Sequence, residues 1–294
     1  MLSKKQFDVL TLIENHGQKL SQRSIAAALG FSLGTVNKIL SELNCYGYIS
    51  EGIITGEGLT VLEPYRVQRM LIFAAGFGSR LVPVTLTTPK PLIRVNGKRI
   101  IDSLLDAALD AEIEEIYIVR GYLGEQFDEL LAKYPAVRFI ENPDYREENN
   151  ISSAMRARHL FANSYVCDAD LLLYNPDLIC KYQYETNYIG VPVDKTDDWC
   201  LKTKNGVINQ MCLGGTDCYH MFDISYWTSK DGGNLALDIE DVYHSPGGRK
   251  RYWDQVALEY KRSNYRITIR PCQASDIKEI DTYNELKALD NSYI

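Results

Sequence analysis

The chain has 294 residues, 45% hydrophobic and 24% charged, enough apolar material for a sizeable core and a length that suggests about two domains. Lys and Arg total 32 against 39 Asp and Glu, a net charge of −7 that argues against general affinity for nucleic acid or anionic membrane, though not against a local site. No apolar run approaches the roughly 18 residues that span a bilayer. The opening Met1-Leu2-Ser3-Lys4-Lys5-Gln6-Phe7 has no apolar core or cleavage site behind it, so a cytoplasmic protein with no membrane partner is expected.

The first segment carries helical spacing. Phe7, Leu10 and Ile13 share one face, and Ser21 is placed to cap a second helix bearing Ile25, Ala26, Ala28 and Leu29. Gly30 ends that helix, and Phe31-Ser32 turns into a third with Val36, Ile39, Leu40 and Leu43. Ile53-Ile54-Thr55 and Leu59-Thr60-Val61, with Gly56 and Gly58 between them, read as a hairpin wing. The run from Ser21 to Lys38 resembles the winged helix-turn-helix of MarR-type bacterial regulators. That resemblance implies DNA as a partner through residues 21–46, with Ser32, Thr35, Asn37 and Lys38 at the groove. Charge pulls the other way. Lys4, Lys5, Lys19, Arg23 and Lys38 face Asp8, Glu14, Glu42, Glu51, Glu57 and Glu63, so the segment lacks the basic excess that phosphate contact favours. An interaction or dimerisation module is the alternative, and the oligomeric state stays open, a dimer being compatible with such a module.

A seam lies at residues 63–69, which sets expected domains of 1–65 and 68–294. Beyond it, strands expected at Met70–Phe73, Glu115–Val119, Val137–Ile140, Tyr165–Cys167 and Tyr188–Val193 alternate with helices expected at Ile100–Leu109, Gly124–Lys133 and Ile151–Leu160. Alternation of this kind implies an α/β fold with a mostly parallel sheet and a site at the carboxyl ends of its strands. Seven cysteines without a C-x-x-C pair argue for reduced, buried thiols rather than disulfides or zinc.

Directly after the first strand comes Gly76-x-Gly78-x-x-Leu81. The third glycine of a dinucleotide fingerprint is absent, and there is no Walker lysine motif. Glycines here still let backbone N–H groups approach a phosphate, or make a tight structural turn. Arg80 and Lys90 add a guanidinium fork and a compact charge. Ala74-Ala75-Gly76-Phe77-Gly78-Ser79-Arg80-Leu81 followed by Thr88-Pro89-Lys90-Pro91-Leu92 resembles the signature of the sugar-phosphate nucleotidyltransferase superfamily, with its Rossmann-like, GT-A-like fold. Gly121–Phe127, Asn163–Asp170, Asp197-Asp198-Trp199, Tyr252-Trp253-Asp254 and Glu279-Ile280-Asp281 then recur in an order similar to the LicC-type CTP:phosphocholine cytidylyltransferases.

The resemblance implies a Mg2+-dependent enzyme that joins CTP to phosphocholine and releases pyrophosphate. It implies Arg80 and Lys90 as catalytic cations, and Ala74, Ala75, Gly76, Gly78, Ser79, Arg80, Gln126 and Asp168 at the nucleotide. Lys90, Asn150, Trp199, Tyr252 and Glu279 are implied at the acceptor, and Asp170 with Asp254 at the metal. On the residues alone, either aspartate is as well explained by a turn or helix cap, Asn150 by a helix cap, Gln126 by a solvent-exposed helix face and Trp199 by core packing. Phosphoethanolamine or 2-aminoethylphosphonate would suit the same site. Two other classes compete: a transcriptional regulator whose second half senses a ligand without catalysis, and a sugar-1-phosphate nucleotidyltransferase, which would want hydroxyl-binding side chains.

Overall fold

The computed structural model describes residues 1–293. They divide into two units: Met1–Arg66 together with Tyr182–Tyr184, and Val67–Lys181 together with Glu185 onward.

In the first unit, α1 (Lys4–His16) is capped by Ser3, whose hydroxyl accepts from the Gln6 N–H while the Gln6 side chain accepts from the Ser3 N–H. Ser21 and Ser32 likewise cap α2 (Gln22–Leu29) and α3 (Leu33–Cys45). Between these helices Gly30 takes φ +65, which gives the sharp turn its left-handed residue. Val9, Leu10, Ile13, Ile25, Val36, Ile39 and Leu43 close the core, and truncating one of them to Ala would cost about 2–5 kcal/mol. Tyr182 is buried in the same core, and Tyr184 stacks on Tyr65 at 5.5 Å.

The wing differs from expectation. The hairpin is β1 (Ile49–Ser50) against β2 (Ile53–Ile54), and residues expected as its second strand form α4 (Gly56–Leu62). Thr55 accepts from the Gly58 N–H at 3.1 Å and so starts a helix. Gly58 lies so close under Tyr48 that an added Cβ would meet its carbonyl oxygen at 2.2 Å.

The second unit opens with β3 (Arg69–Ala74), followed by a small hairpin of β4 (Arg94–Val95) and β5 (Lys98–Arg99), then α5 (Asp102–Asp110). Next come β6 (Glu115–Arg120), β7 (Val137–Glu141), α6 (Ile151–Ala157), β8 (Ser164–Asp168) and β9 (Leu171–Leu173). The long strands β10 (Asn187–Lys204) and β11 (Val207–Trp227) precede α7 (Ser229–His244), β12 (Thr268–Pro271), β13 (Ile277–Glu279) and α8 (Tyr283–Leu289). The seven-stranded sheet runs β10-β12-β11-β8-β3-β6-β7. Strands β3, β6, β7 and β8 are parallel to one another, whereas β11 lies antiparallel to β8 and to β10. The expected fold class is therefore found: an α/β nucleotidyltransferase-type sheet, preceded in sequence by a small helical unit.

Strand β3 reads as an unbroken apolar run because both of its faces are covered. Met70 and Ile72 pack with Leu104, Leu105 and Ala108 of α5, while Leu71 and Phe73 pack with Ile151, Ala154, Leu235 and Ile239 of α6 and α7. The expected helix at 124–133 winds as 3-10 turns over Gly124–Ala132. Gly124, Phe127 and Leu130 are its buried residues, and a three-residue repeat lets one face of a three-per-turn helix stay buried. The expected helix Ile151–Leu160 is α-helical to Ala157 and 3-10 over Arg158–Leu160. The strand expected at Tyr188–Val193 is far longer, because Asn205-Gly206, both at positive φ, turn β10 back into β11. All seven cysteines are free. Cys167, Cys200, Cys218 and Cys272 are buried as expected, but Cys45 is exposed and Cys180 and Cys212 are only half-buried. Among the described residues, no helix is long and apolar enough to cross a membrane.

Candidate active site

The carboxyl ends of β3 and β8 lie side by side, with Phe73 paired to Asp168. Above them open two adjoining lobes of about 320 and 480 Å³ that share Ser79, Arg80, Asn150, Asp168, Asp170 and Asp281 as a common wall.

The glycine loop lines the first lobe. Ala74, Ala75, Gly76, Gly78, Ser79 and Arg80 all face it, with Lys90 and Asp168. Gly78 takes φ +60, and a Cβ there would stand 3.0 Å from both Lys90 Cβ and Thr85 Cγ2. A Cβ on Gly76 would meet nothing within 4 Å, so that face of the loop is open for a ligand to approach the backbone. On the far side, buried Asn142 donates to Ser152 and Ser153 at 2.9 and 3.0 Å and fixes the start of α6.

Charge converges where the lobes meet. Lys90 Nζ donates to Asp170 Oδ2 at 2.8 Å and to Asp281 Oδ1 at 3.0 Å, and Arg80 donates to the same Asp281 oxygen at 2.8 Å. Burial works against the Lys90 ammonium, but Asp170 and Asp281 outweigh it and hold its pKa above the ordinary value. Asp170, Glu279 and Asp281 each offer a carboxylate oxygen within 4.8 Å of the others, a spacing that suits one cation. Asp170 Oδ1 and Asp168 Oδ1 are buried without a hydrogen-bond partner. Strand β13 makes this grouping: Glu279 pairs with Leu171, and Ile280 N–H donates to the Asp170 carbonyl, which sets Asp281 beside Asp170.

Asp254, expected with Asp170 at a metal, lies outside that set of three. It is buried at the second lobe and accepts from the Tyr188 hydroxyl at 2.8 Å. Burial pushes its pKa up to about 7, the Tyr188 hydrogen bond opposing the shift. Glu279 is pushed up to about 9 by burial and then by Asp170 and Asp281. Burial, with neighbouring carboxylates, also holds Asp168 and Asp223 well above the usual range.

The second lobe also brings together Asp198, Trp199, Met211, Met221, Asp223 and Tyr252. Trp199 meets Tyr252 edge-on at 5.9 Å. Asn150 faces both lobes, and its side chain accepts from the Trp253 N–H at 2.9 Å instead of capping α6. Gln126 is not brought to the site: it lines neither lobe and donates to the Thr87 carbonyl at 2.9 Å.

Sequence reasoning passed over Asp281, Asp223 and Asp198 as site residues. Asp281 follows Glu279 by two in extended chain, hence on the same face. Asp223 interrupts the apolar alternation of β11, one step beyond the pairing of Ile224 with Cys167.

The Nucleotidyl transferase family profile matches residues 69–191, and a Winged helix-turn-helix DNA-binding profile matches residues 2–50. The 2-aminoethylphosphonate cytidylyltransferase of Lancefieldella rimae is 36% identical over 228 residues, 76% of this chain and 92% of that protein. The choline-phosphate cytidylyltransferase of Haemophilus influenzae is 33% identical over 220 residues, 73% and 93% of the two chains. The solved structure of the Streptococcus pneumoniae CTP:phosphocholine cytidylyltransferase matches with a TM-score of 0.71 at 29% identity, covering 78% of this chain and all of that one. The chain belongs to the nucleotidyl transferase family, is an enzyme of its cytidylyltransferase class, and carries a winged helix-turn-helix unit ahead of the transferase fold.

Proposed function

We propose that the enzyme is magnesium-dependent and joins CTP to a small phosphonylated or phosphorylated primary amine, with 2-aminoethylphosphonate first, releasing pyrophosphate. The observation that carries this reading is the second lobe, where seven carboxylates, at Asp168, Asp170, Asp198, Asp223, Asp254, Glu279 and Asp281, face one guanidinium, at Arg80. A primary ammonium has three N–H donors to spend on such acceptors, and a trimethylammonium has none. The 36%-identical Lancefieldella rimae relative supports the phosphonate in particular. Phosphocholine, the substrate expected from sequence, stays as the second reading because Trp199 and Tyr252 supply aromatic faces to the same lobe.

The chemistry needs no covalent nucleophile. The acceptor's anionic oxygen attacks the α-phosphorus of CTP in line, the α–β P–O bond breaks, and pyrophosphate leaves. The chain's work is to position and to neutralise. Backbone N–H groups of Ala75, Gly76, Gly78 and Ser79, which line the first lobe, would hold the triphosphate, and Lys90 and Arg80 would set positive charge beside the reacting phosphorus. Asp170 and Asp281, with Glu279 beside them, would hold magnesium, which when bound neutralises phosphate charge and acts as a Lewis acid. Asp254 and Asp223, which line the second lobe, would meet the head group.

Pyrophosphate release is measured with CTP, UTP, ATP and GTP against the three acceptors. Asp223→Asn should raise the KM for 2-aminoethylphosphonate about ten- to a hundred-fold through loss of a charge-assisted hydrogen bond of about 1.5–3 kcal/mol. Trp199→Ala should change it little. If phosphocholine is the preferred acceptor and Trp199→Ala raises its KM roughly five- to thirty-fold, the second reading holds and the first falls.

For the N-terminal unit we propose duplex DNA as the ligand of residues 21–46. Ser32, Leu33, Gly34, Asn37 and Lys38 are exposed along the first half of α3, where a recognition helix meets base edges. A mobility shift that weakens with salt and is lost in Lys38→Ala supports this. A shift absent at low salt refutes it.

A further inference from the structure

Three cysteines meet on the ladder that forms the wall of the second lobe, and the transfer chemistry uses none of them. Cys200 of β10 is the ladder partner of Cys212 of β11, and their sulfurs stand 3.5 Å apart. Cys200 is buried and Cys212 half-buried. Gly215 leaves the space they occupy: a Cβ there would lie 2.8 Å from Cys200 Sγ and 3.4 Å from Cys218 Sγ. The three sulfurs do not close into one ligand set, since among the described residues only Asp170, Glu279 and Asp281 do. A thiophilic cation is therefore the weaker reading, and a two-sulfur bond the stronger.

We propose that Cys200 and Cys212 form a reversible disulfide under peroxide, and that this bond alters acceptor binding without touching the nucleotide lobe.

Ladder partners meet the Cα spacing of a disulfide, about 4.4–6.8 Å. Closing the bond brings the sulfurs to about 2.05 Å, so the two strands shift locally. Asp198 and Trp199, just before Cys200, and Met211, just before Cys212, line the second lobe, whereas none of them lines the first, so the bond displaces the Asp198 carboxylate from the acceptor's ammonium. The step balances. Cys212, the more accessible sulfur, attacks peroxide as its thiolate, the O–O bond breaks, and water leaves a sulfenic acid. Cys200 sulfur then attacks the Cys212 sulfur, the S–O bond breaks, and a second water departs with the Cys200 proton. Two thiols and one hydrogen peroxide give one disulfide and two waters, and a dithiol reductant reverses it. Burial and the hydrogen bonds with Cys212 and Cys218 push the Cys200 thiol up to about 12, which keeps it protonated and leaves the first oxidation to Cys212.

The kinetic half rests on the reading of the second lobe as the acceptor site; the bond itself does not. The full chain is treated with hydrogen peroxide, its remaining thiols are alkylated, and peptides are mapped by mass spectrometry. A Cys200–Cys212 cross-link, lost on reduction and absent from Cys212→Ser but present in Cys45→Ser, is expected. Separate alkylation of Cys200 and Cys212 after peroxide, a sulfinic acid at Cys212, or a Cys200–Cys218 cross-link overturns the bond. In the cross-linked enzyme the acceptor KM should rise about ten-fold, with the CTP KM within about two-fold. Complete cross-linking with both KM values unchanged overturns the coupling. If the acceptor identity is wrong, the cross-link remains and the KM effect appears with whichever acceptor the reduced enzyme uses.

Discussion

Replacing Asp281 and Asp254 in turn decides which acid works with Asp170. Asp281→Asn keeps the side chain's size and removes one of three carboxylates that converge within 4.8 Å. It also weakens the grip on Lys90 and Arg80, which now donate to Asp281 at 3.0 and 2.8 Å. Losing one preorganised charge at a site of phosphoryl chemistry costs about 3–4 kcal/mol, which is a fall of roughly a hundred- to a thousand-fold in kcat. The magnesium concentration for half-maximal rate should rise with it. Asp254→Asn removes an acid that is engaged by the Tyr188 hydroxyl and stands outside that set, so its effect should be nearer ten-fold and leave the magnesium requirement in place. Both are read by pyrophosphate release across a magnesium titration, with thermal unfolding as the check that each variant is folded. If Asp254→Asn loses its magnesium response while Asp281→Asn keeps it, the sequence-based pairing of Asp170 with Asp254 is right and the grouping built by β13 is not the metal site.

The carboxyls also give the protein without ligands a pH signature. Asp254 near 7 and Glu279 near 9 hold protons in the folded state that the unfolded chain has already released, so stability falls as pH rises from about 5 towards 9. Thermal unfolding at pH 5.5 and 8.5 should show the loss, and magnesium should restore more at 8.5; a protein more stable at 8.5 without magnesium refutes it. A fragment starting at Gln68 should keep turnover, because no residue lining either lobe precedes Phe73. It should also be less soluble than the full chain, because Tyr184 loses the Phe7 and Tyr65 rings against it and Tyr182 loses the core in which it is buried. A soluble but inactive fragment refutes the first half.

Much of the parallel core was legible because its signal is local. Met70–Phe73 and Glu115–Val119 are runs whose two faces are both covered, and the glycine loop follows its strand directly in sequence. What was not legible depends on pairings across long separations. Asp281 reaches Asp170 only because β13 pairs with β9, and Trp199 reaches Tyr252 only through a strand whose length shows once the Asn205-Gly206 turn is recognised. The helical Gly56–Leu62 was missed for a different reason: Gly-rich sequence reads as a bend, and the Thr55 cap that overrides it is a single side chain.

The acid excess also bears on what the enzyme refuses. An acceptor must carry its own anionic phosphate or phosphonate into a lobe lined by seven acidic side chains, four of which (Asp168, Asp223, Asp254 and Glu279) are held towards the protonated form by burial, and each one that ionises adds a like charge close to that anion. Lys90 and Arg80 offset part of that charge, but Lys90 already serves Asp170 and Asp281, and Arg80 serves Asp281. The remainder must come from the ligands, as a metal ion at the carboxylates and as a cation on the acceptor's other end. A sugar 1-phosphate brings the anion without the cation. Its hydroxyls would donate to Asp198, Asp223 and Asp254 as neutral groups, each hydrogen bond weaker than one from an ammonium. Specificity for an amino head group is thus a consequence of repulsion as much as of fit. It follows that Asp223→Asn should narrow the gap between an amino acceptor and a neutral one from both sides, weakening the first while relieving the second.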